Sequence, residues 1–88
     1  MTQLQVGGLY SYHNLRGVHP DREGTQDLIA ILEIDEPFVL LESGGKHKWS
    51  ETYKVLTPQG VVGWIHILYP VDIRSFKKVA RENPELNP

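Results

Sequence analysis

Two runs rich in β-branched and aromatic residues meet at a tight turn in Tyr53-Lys-Val-Leu-Thr-Pro-Gln-Gly-Val-Val-Gly-Trp-Ile-His66. In the turn, Thr57-Pro58-Gln59-Gly60, proline pre-sets the backbone angle of the first central position and glycine supplies a positive φ. Two such runs on either side of a tight turn are typical of a β-hairpin that re-enters its second strand through a bulge. The sequence therefore predicts that a β-sheet or barrel organises the C-terminal half.

The rest of the sequence contains further short apolar segments that predict strands. Residues 13–26 are rich in Gly, Asn, Asp and Pro and predict a long loop, of the kind that often binds a ligand. The paired glycines Gly44-Gly45 predict a turn. The predicted strands are 5–12, 27–35, 38–43, 49–57 and 61–65.

The C-terminal part of the chain predicts mixed structure. Residues 66–73 contain Pro70 and read as a helical turn followed by a final edge strand. Residues 75–83 place Phe76 and Val79 on one face at helical spacing, with Ser75 as a possible N-cap, and predict a short amphipathic helix. We therefore expect one domain over residues 1–83 and a flexible tail over 84–88.

Composition limits the possible classes of protein. At 88 residues the chain forms one domain, and a domain of this size buries about 60–65% of its unfolded surface. Cysteine is absent, so disulfides and thiolate-bound zinc cannot stabilise it. The net charge of −2 disfavours tight nonspecific nucleic-acid binding. Without a signal-peptide pattern or a long apolar run, the sequence predicts a soluble, cytoplasmic protein with no membrane partner.

Two motifs in the sequence resemble those of a known family of small β-barrels. Gly8-Leu9-Tyr10-Ser11-Tyr12 is similar to the Ala-Leu-Tyr-Asp-Tyr segment that opens eukaryotic SH3 domains. Gly60-Val-Val-Gly-Trp-Ile-His-Ile-Leu-Tyr69 resembles their Gly-x-x-Gly-Tyr-Ile-Pro-x-Asn-Tyr motif, with histidine in place of proline and leucine in place of asparagine. The likeness covers roughly residues 5–73 and extends to the standalone SH3-like proteins of bacteria and phages. It implies a mainly β fold: an SH3-like five-stranded small barrel, here with a short C-terminal α-helix.

The resemblance also implies a shallow aromatic groove for a polyproline II peptide, with acidic residues beside it that select a basic ligand residue. The alternative is that the tyrosines are barrel residues that are half-buried in the strands. Trp64 likewise either forms an exposed interface or packs over a neighbouring strand or the helix. The residues of this predicted peptide site are Tyr10, Tyr12, Glu23, Asp27, Trp49, Tyr53, Trp64 and Tyr69.

Two other functions stay open. The opening residues 6–10 are similar to KOW and Tudor-like barrels, and basic residues next to an aromatic ring can bind nucleic acid. The residues of that alternative site are Lys46, Lys48, Trp49, Arg74, Lys77 and Lys78. A self-associating structural protein is the second alternative, because Ile29, Ile31, Val39 and Leu41 supply more apolar surface than one small barrel needs.

Catalysis and metal binding are not predicted. The four histidines are His13, His19, His47 and His66, and none has the spacing of a metal-ligand pair. No serine has a base partner that the sequence identifies. We therefore expect a non-catalytic module without a cofactor, which contacts a protein or peptide partner.

Overall fold

The computed structural model describes residues 4–68 and 76–78, with only the backbone for Lys77 and Lys78. This part of the chain is mainly β, as predicted, and includes no helix that could cross a membrane. The strands are β1 (Leu9–Tyr12), β2 (Arg16–Val18), β3 (Ala30–Leu32), β4 (Phe38–His47), β5 (Ser50–Leu56), β6 (Val62–Leu68) and β7 (Phe76–Lys78).

Five of the strands form one curled antiparallel sheet in the order β6-β5-β4-β1-β7, and β2 pairs with β3 as a separate ribbon. The ribbon is joined to β6 because His19 and Trp64 exchange backbone hydrogen bonds of 2.8 and 2.7 Å. Gly63 allows this close approach, since a Cβ atom there would lie 2.5 Å from Cγ1 of Val18. The ribbon therefore extends the curled sheet beyond β6.

The predicted hairpin between β5 and β6 is confirmed. Gly60 donates a backbone hydrogen bond of 2.9 Å to the carbonyl of Thr57, and its φ is 88°. Thr57 in turn donates 2.9 Å to the carbonyl of Val61, which closes the turn onto the strands. The turn residues thus fix the pairing of the two strands, which runs from Leu56 opposite Val62 to Ser50 opposite Leu68.

The predicted turn at Gly44-Gly45 is wrong. Strand β4 continues through both glycines with an irregular register at Gly45, which has a φ of 81°, and the chain reverses only at Lys48 and Trp49. The glycine at 44 has a packing role, because a Cβ there would lie 2.5 Å from the ring of Trp64. Gly44 therefore does not reverse the chain. Because it has no side chain, it leaves room for the ring of Trp64.

The predicted loop over residues 13–26 contains strand β2, so the loop itself is shorter than expected. Val18 is fully buried, and Gly17 leaves room for the side chain of Leu28 to lie against the ribbon. These contacts come from residues that are distant along the chain, and a loop-like composition does not reveal them.

The predicted C-terminal helix is wrong for residues 76–78, which form β7 alongside β1. Phe76 is buried against Tyr12 and Tyr53, with ring centroids 4.8 and 5.8 Å apart. An isolated helix of nine residues is marginal, whereas a strand paired with β1 gains ladder hydrogen bonds and buries the ring. The helical turn predicted at the start of residues 66–73 is wrong for residues 66–68, which continue β6. The remaining residues of the predicted helix, the segment 69–73 and the predicted tail 84–88 lie outside the described residues.

Side chains from both the curled sheet and the ribbon form the core. Phe38 and Leu40 of β4 are at most 1% exposed, and the ribbon contributes Val18 and Leu32. The buried apolar residues are Tyr10, Tyr12, Val18, Leu32, Phe38, Leu40, Tyr53, Val55, Ile65, Ile67 and Phe76.

Candidate functional site

The tyrosines of the predicted peptide groove are core residues. Tyr10 and Tyr12 are each 7% exposed and Tyr53 is 8% exposed. Burial, with a contribution from the negative charge of Glu51, raises the pKa of Tyr53 to about 12. Their burial by Phe76 and the rest of the core leaves no open aromatic groove at these three positions, in agreement with the alternative interpretation. Tyr69 lies outside the described residues.

The acidic residues predicted beside that groove lie in the connection between β2 and β3. Glu23 is exposed and forms an ion pair of 3.1 Å with Arg22, and Asp27 is also exposed. Both carboxylates thus lie in an exposed connection, whereas the tyrosine rings are buried.

The connection between β2 and β3 is held by its own polar side chains. The carboxylate of Asp21 accepts hydrogen bonds from the Thr25 hydroxyl and from the backbone of Thr25 and Gln26. These bonds, with the Thr25 hydroxyl as the largest cause, lower the pKa of Asp21 to about 2. Arg22 donates from Nε to the carbonyl of Gly44 at 2.8 Å and from Nη2 to that of Lys46 at 3.1 Å. The connection is thus fastened to the end of β4.

His19, at the start of this connection, lies together with His47 and His66. The ring centroid of His66 is 5.7 Å from that of His19 and 6.3 Å from that of His47. Nε2 of His66 is enclosed beside Gly24, without a hydrogen-bond partner among the described residues. Across residues 4–68 and 76–78, no three potential ligands are placed to hold a metal ion.

We expect the stability of the protein to fall as the pH drops from 7 towards 5. Burial is the main cause that lowers the pKa of His66 in the folded protein, and the neighbouring His19 and His47 lower it further. A hydrogen bond with the backbone of Arg22 and the negative charge of Asp21 act in the opposite direction and raise this pKa. In the unfolded chain a histidine has a pKa of about 6.5. At a pH between that value and the lowered pKa of His66, the unfolded state binds more protons than the folded state, so the free energy of unfolding falls as the pH falls.

Urea denaturation at both pH values measures this effect. His66→Gln should flatten the dependence relative to the wild type. A dependence that is as steep in His66→Gln as in the wild type would contradict the role of His66.

The hairpin tip between β4 and β5 carries the most exposed large apolar side chain of the described residues. Trp49 is 79% exposed, and Leu68, opposite Ser50 in the neighbouring strand, is 69% exposed. Lys48 has a φ of 57°, a conformation that a non-glycine residue adopts at a cost of about 1–2 kcal/mol. Together with Lys46, these residues form what we call the hairpin tip, defined as Lys46–Trp49 with Leu68.

The nucleic-acid residues predicted from the sequence do not all come together. Lys46, Lys48 and Trp49 share the hairpin tip. The backbone of Lys77 and Lys78 pairs with Ser11 and Tyr10 of β1, next to the first residues of β4. The hairpin tip lies at the opposite end of β4. Arg74 lies outside the described residues.

Trp64 packs against its neighbours, as the second of its two interpretations proposed. It is partly buried, and its ring lies over Gly44 of β4, next to Thr52, which is fully buried. Its backbone also joins β6 to the ribbon through His19. These contacts favour a structural role for Trp64.

A second surface was missed at the sequence level. Leu9, Val39 and Leu56 are cross-strand neighbours on β1, β4 and β5, and all three are only partly buried. With Pro37 and Pro58 they line an open apolar groove of about 150 Å³, which we call the outer groove. Phe38 and Thr57 also line it. Of the residues that line the outer groove, only Val39 was identified from the sequence, as one of the apolar residues in excess of what one small barrel needs.

The searches against protein-family models, curated proteins and solved structures find no match to this chain.

Proposed function

We propose that the protein is a non-catalytic binding or assembly module that contacts a protein partner through the hairpin tip. The observation that carries the proposal is the 79% exposure of Trp49 in the turn that joins β4 and β5. Tryptophan is enriched among the residues that dominate binding energy at protein interfaces, because it buries a large area with few rotatable bonds. The positive φ of Lys48 adds a local strain of the kind that clusters at functional sites.

We also propose that the fold is a variant of the SH3-like small barrel. Support comes from the curled sheet, with a long excursion between β1 and β4 that corresponds to the long first loop of the resemblance. The described residues form seven strands rather than the five that the resemblance implies. A cytoplasmic location stays a prediction of the sequence. In this proposal the contact surface differs from an aromatic peptide groove, since the tyrosines that would form it are buried.

The experiment that tests the function is affinity capture from cells of the source organism with three baits. The baits are the wild-type protein, Trp49→Ala, and the matched control Leu15→Ala, which removes a side chain that is 44% exposed and lies away from the tip. We expect a protein that the wild type and the control retain and that Trp49→Ala loses at least about tenfold. If Trp49→Ala retains the same proteins as the control, the hairpin tip is not the contact surface.

Single-stranded nucleic acid is the second candidate partner, because Lys46 and Lys48 precede an exposed ring on which a base can stack. Fluorescence anisotropy with labelled oligonucleotides at low and high salt tests it. Binding that weakens steeply with salt and is lost in Trp49→Ala would support this function. No binding at low salt would eliminate it.

A further inference from the structure

We propose that the outer groove receives Trp49 of a second copy of this chain, so that the protein assembles head to tail. The inference rests on the proposed function, in which the hairpin tip is the contact element, and it names the partner. Its basis is a match in chemistry between two surfaces of the same molecule: an exposed aromatic side chain and an apolar groove without a partner in the described residues.

The outer groove fits one aromatic ring. Its volume is about 150 Å³, and a cavity of roughly this size with apolar walls takes up a benzene molecule. Pro37 and Pro58 lie in its lining beside Leu9, Val39 and Leu56. Burial of a tryptophan side chain against such apolar groups removes about 150–250 Å² from water.

The charges around the two surfaces are of opposite sign. Lys48 precedes Trp49 at the tip and is exposed. Next to the outer groove, the turn before Pro37 carries the carboxylates of Glu33, Asp35 and Glu36. Glu36 accepts hydrogen bonds of 2.9 Å from the backbone of Glu33 and from Gln59. The backbone bond from Glu33 is the main cause that lowers the pKa of Glu36, which keeps this carboxylate charged.

A molecule cannot fill its own outer groove with Trp49. Val39 lies at the beginning of β4, whereas Trp49 follows its end, and the strand has ten residues. At about 3.3 Å per residue the two surfaces are roughly 30 Å apart. The contact is therefore between different patches of two copies, which produces rings or open chains rather than a symmetric dimer.

Sedimentation velocity over a range of protein concentration, from micromolar to millimolar, tests the assembly. We expect the wild type and the control Leu15→Ala to form dimers and larger species, and Trp49→Ala to associate at least about tenfold more weakly. Pro58→Lys changes an exposed turn residue of the outer groove and places a positive charge opposite Lys48, so it should weaken association to a similar extent. Added salt should weaken the wild-type assembly.

Mixing the two variants distinguishes head-to-tail contact from other arrangements. Trp49→Ala keeps the outer groove and Pro58→Lys keeps the ring, so an equimolar mixture should form a heterodimer and stop there. Fluorine NMR of protein labelled with fluorotryptophan gives one signal for each tryptophan, and Trp49→Phe identifies the signal of Trp49 by its absence. Only this signal should shift as the protein concentration is raised.

Three results would overturn the inference. They are a wild type that stays monomeric at millimolar concentration, association that Trp49→Ala does not weaken, and a mixture of the two variants that forms no heterodimer. None of them decides the proposed function, because capture of another protein through Trp49 is measured separately.

Discussion

Phe38→Ala is expected to lower the free energy of unfolding by about 3–5 kcal/mol. Phe38 is 1% exposed, and its ring centroid lies 6.4 Å from that of Tyr10 and 6.3 Å from that of Phe76. Truncation removes the apolar contact and leaves a cavity among residues from three neighbouring strands. Because small domains are stable by only about 5–15 kcal/mol, this variant should be close to unfolding at room temperature.

Urea denaturation followed by circular dichroism measures the change. Ile34→Ala is the matched control, since Ile34 is an apolar residue that precedes the same strand and is 59% exposed. Its loss should change the free energy of unfolding by less than about 0.5 kcal/mol. A loss below about 1 kcal/mol in Phe38→Ala would mean that Phe38 is not at the centre of the core.

The β5–β6 hairpin was predictable because its determinants are local. Pro58 and Gly60 fix the turn, and the strands on either side follow from their β-branched and aromatic residues. The incorrect prediction of a turn at Gly44-Gly45 has the opposite origin, because the structure there depends on residues that are distant in the sequence. Whether Gly44 reverses the chain or admits a ring depends on Trp64, twenty positions further along the sequence, and only the paired sheet brings the two together.

The prediction of a C-terminal helix was wrong over Phe76–Lys78 because the apolar pattern on which it rested is short. One buried aromatic residue followed by two lysines is compatible with a helix face and with an edge strand. The open edge of β1 decides between them, since it offers ladder hydrogen bonds and places Phe76 among Tyr12, Phe38 and Tyr53. Tertiary pairing thus overrides local propensity.

The candidate sites were predictable only in part. Trp49 was identified from the sequence in two alternative sites, although its exposure depends on where the chain reverses. The outer groove could not be assembled from the sequence, because Leu9, Val39 and Leu56 become neighbours only through the register of three strands. For the same reason the sequence left two interpretations of Tyr10, Tyr12 and Tyr53 open: a motif predicts the strand but not what covers it.

Trp64→Ala is expected to lower the free energy of unfolding by about 3 kcal/mol, near the lower end for tryptophan truncation because the ring is only partly buried. Its ring occupies the space over Gly44 and beside the buried Thr52, under the connection that Arg22 fastens to β4. Removal leaves that face of the sheet open to water and loosens the junction between β6 and the ribbon.

The matched control is the other tryptophan of the chain. Trp49→Ala truncates the same side chain at a position that is 79% exposed, so it should change the free energy of unfolding by less than about 0.5 kcal/mol. Because each variant loses a fluorophore, far-ultraviolet circular dichroism in urea is the appropriate measurement. A stable Trp64→Ala would contradict the packing role of Trp64. A large stability loss in Trp49→Ala would mean that its ring is part of the folded core rather than a surface available to a partner.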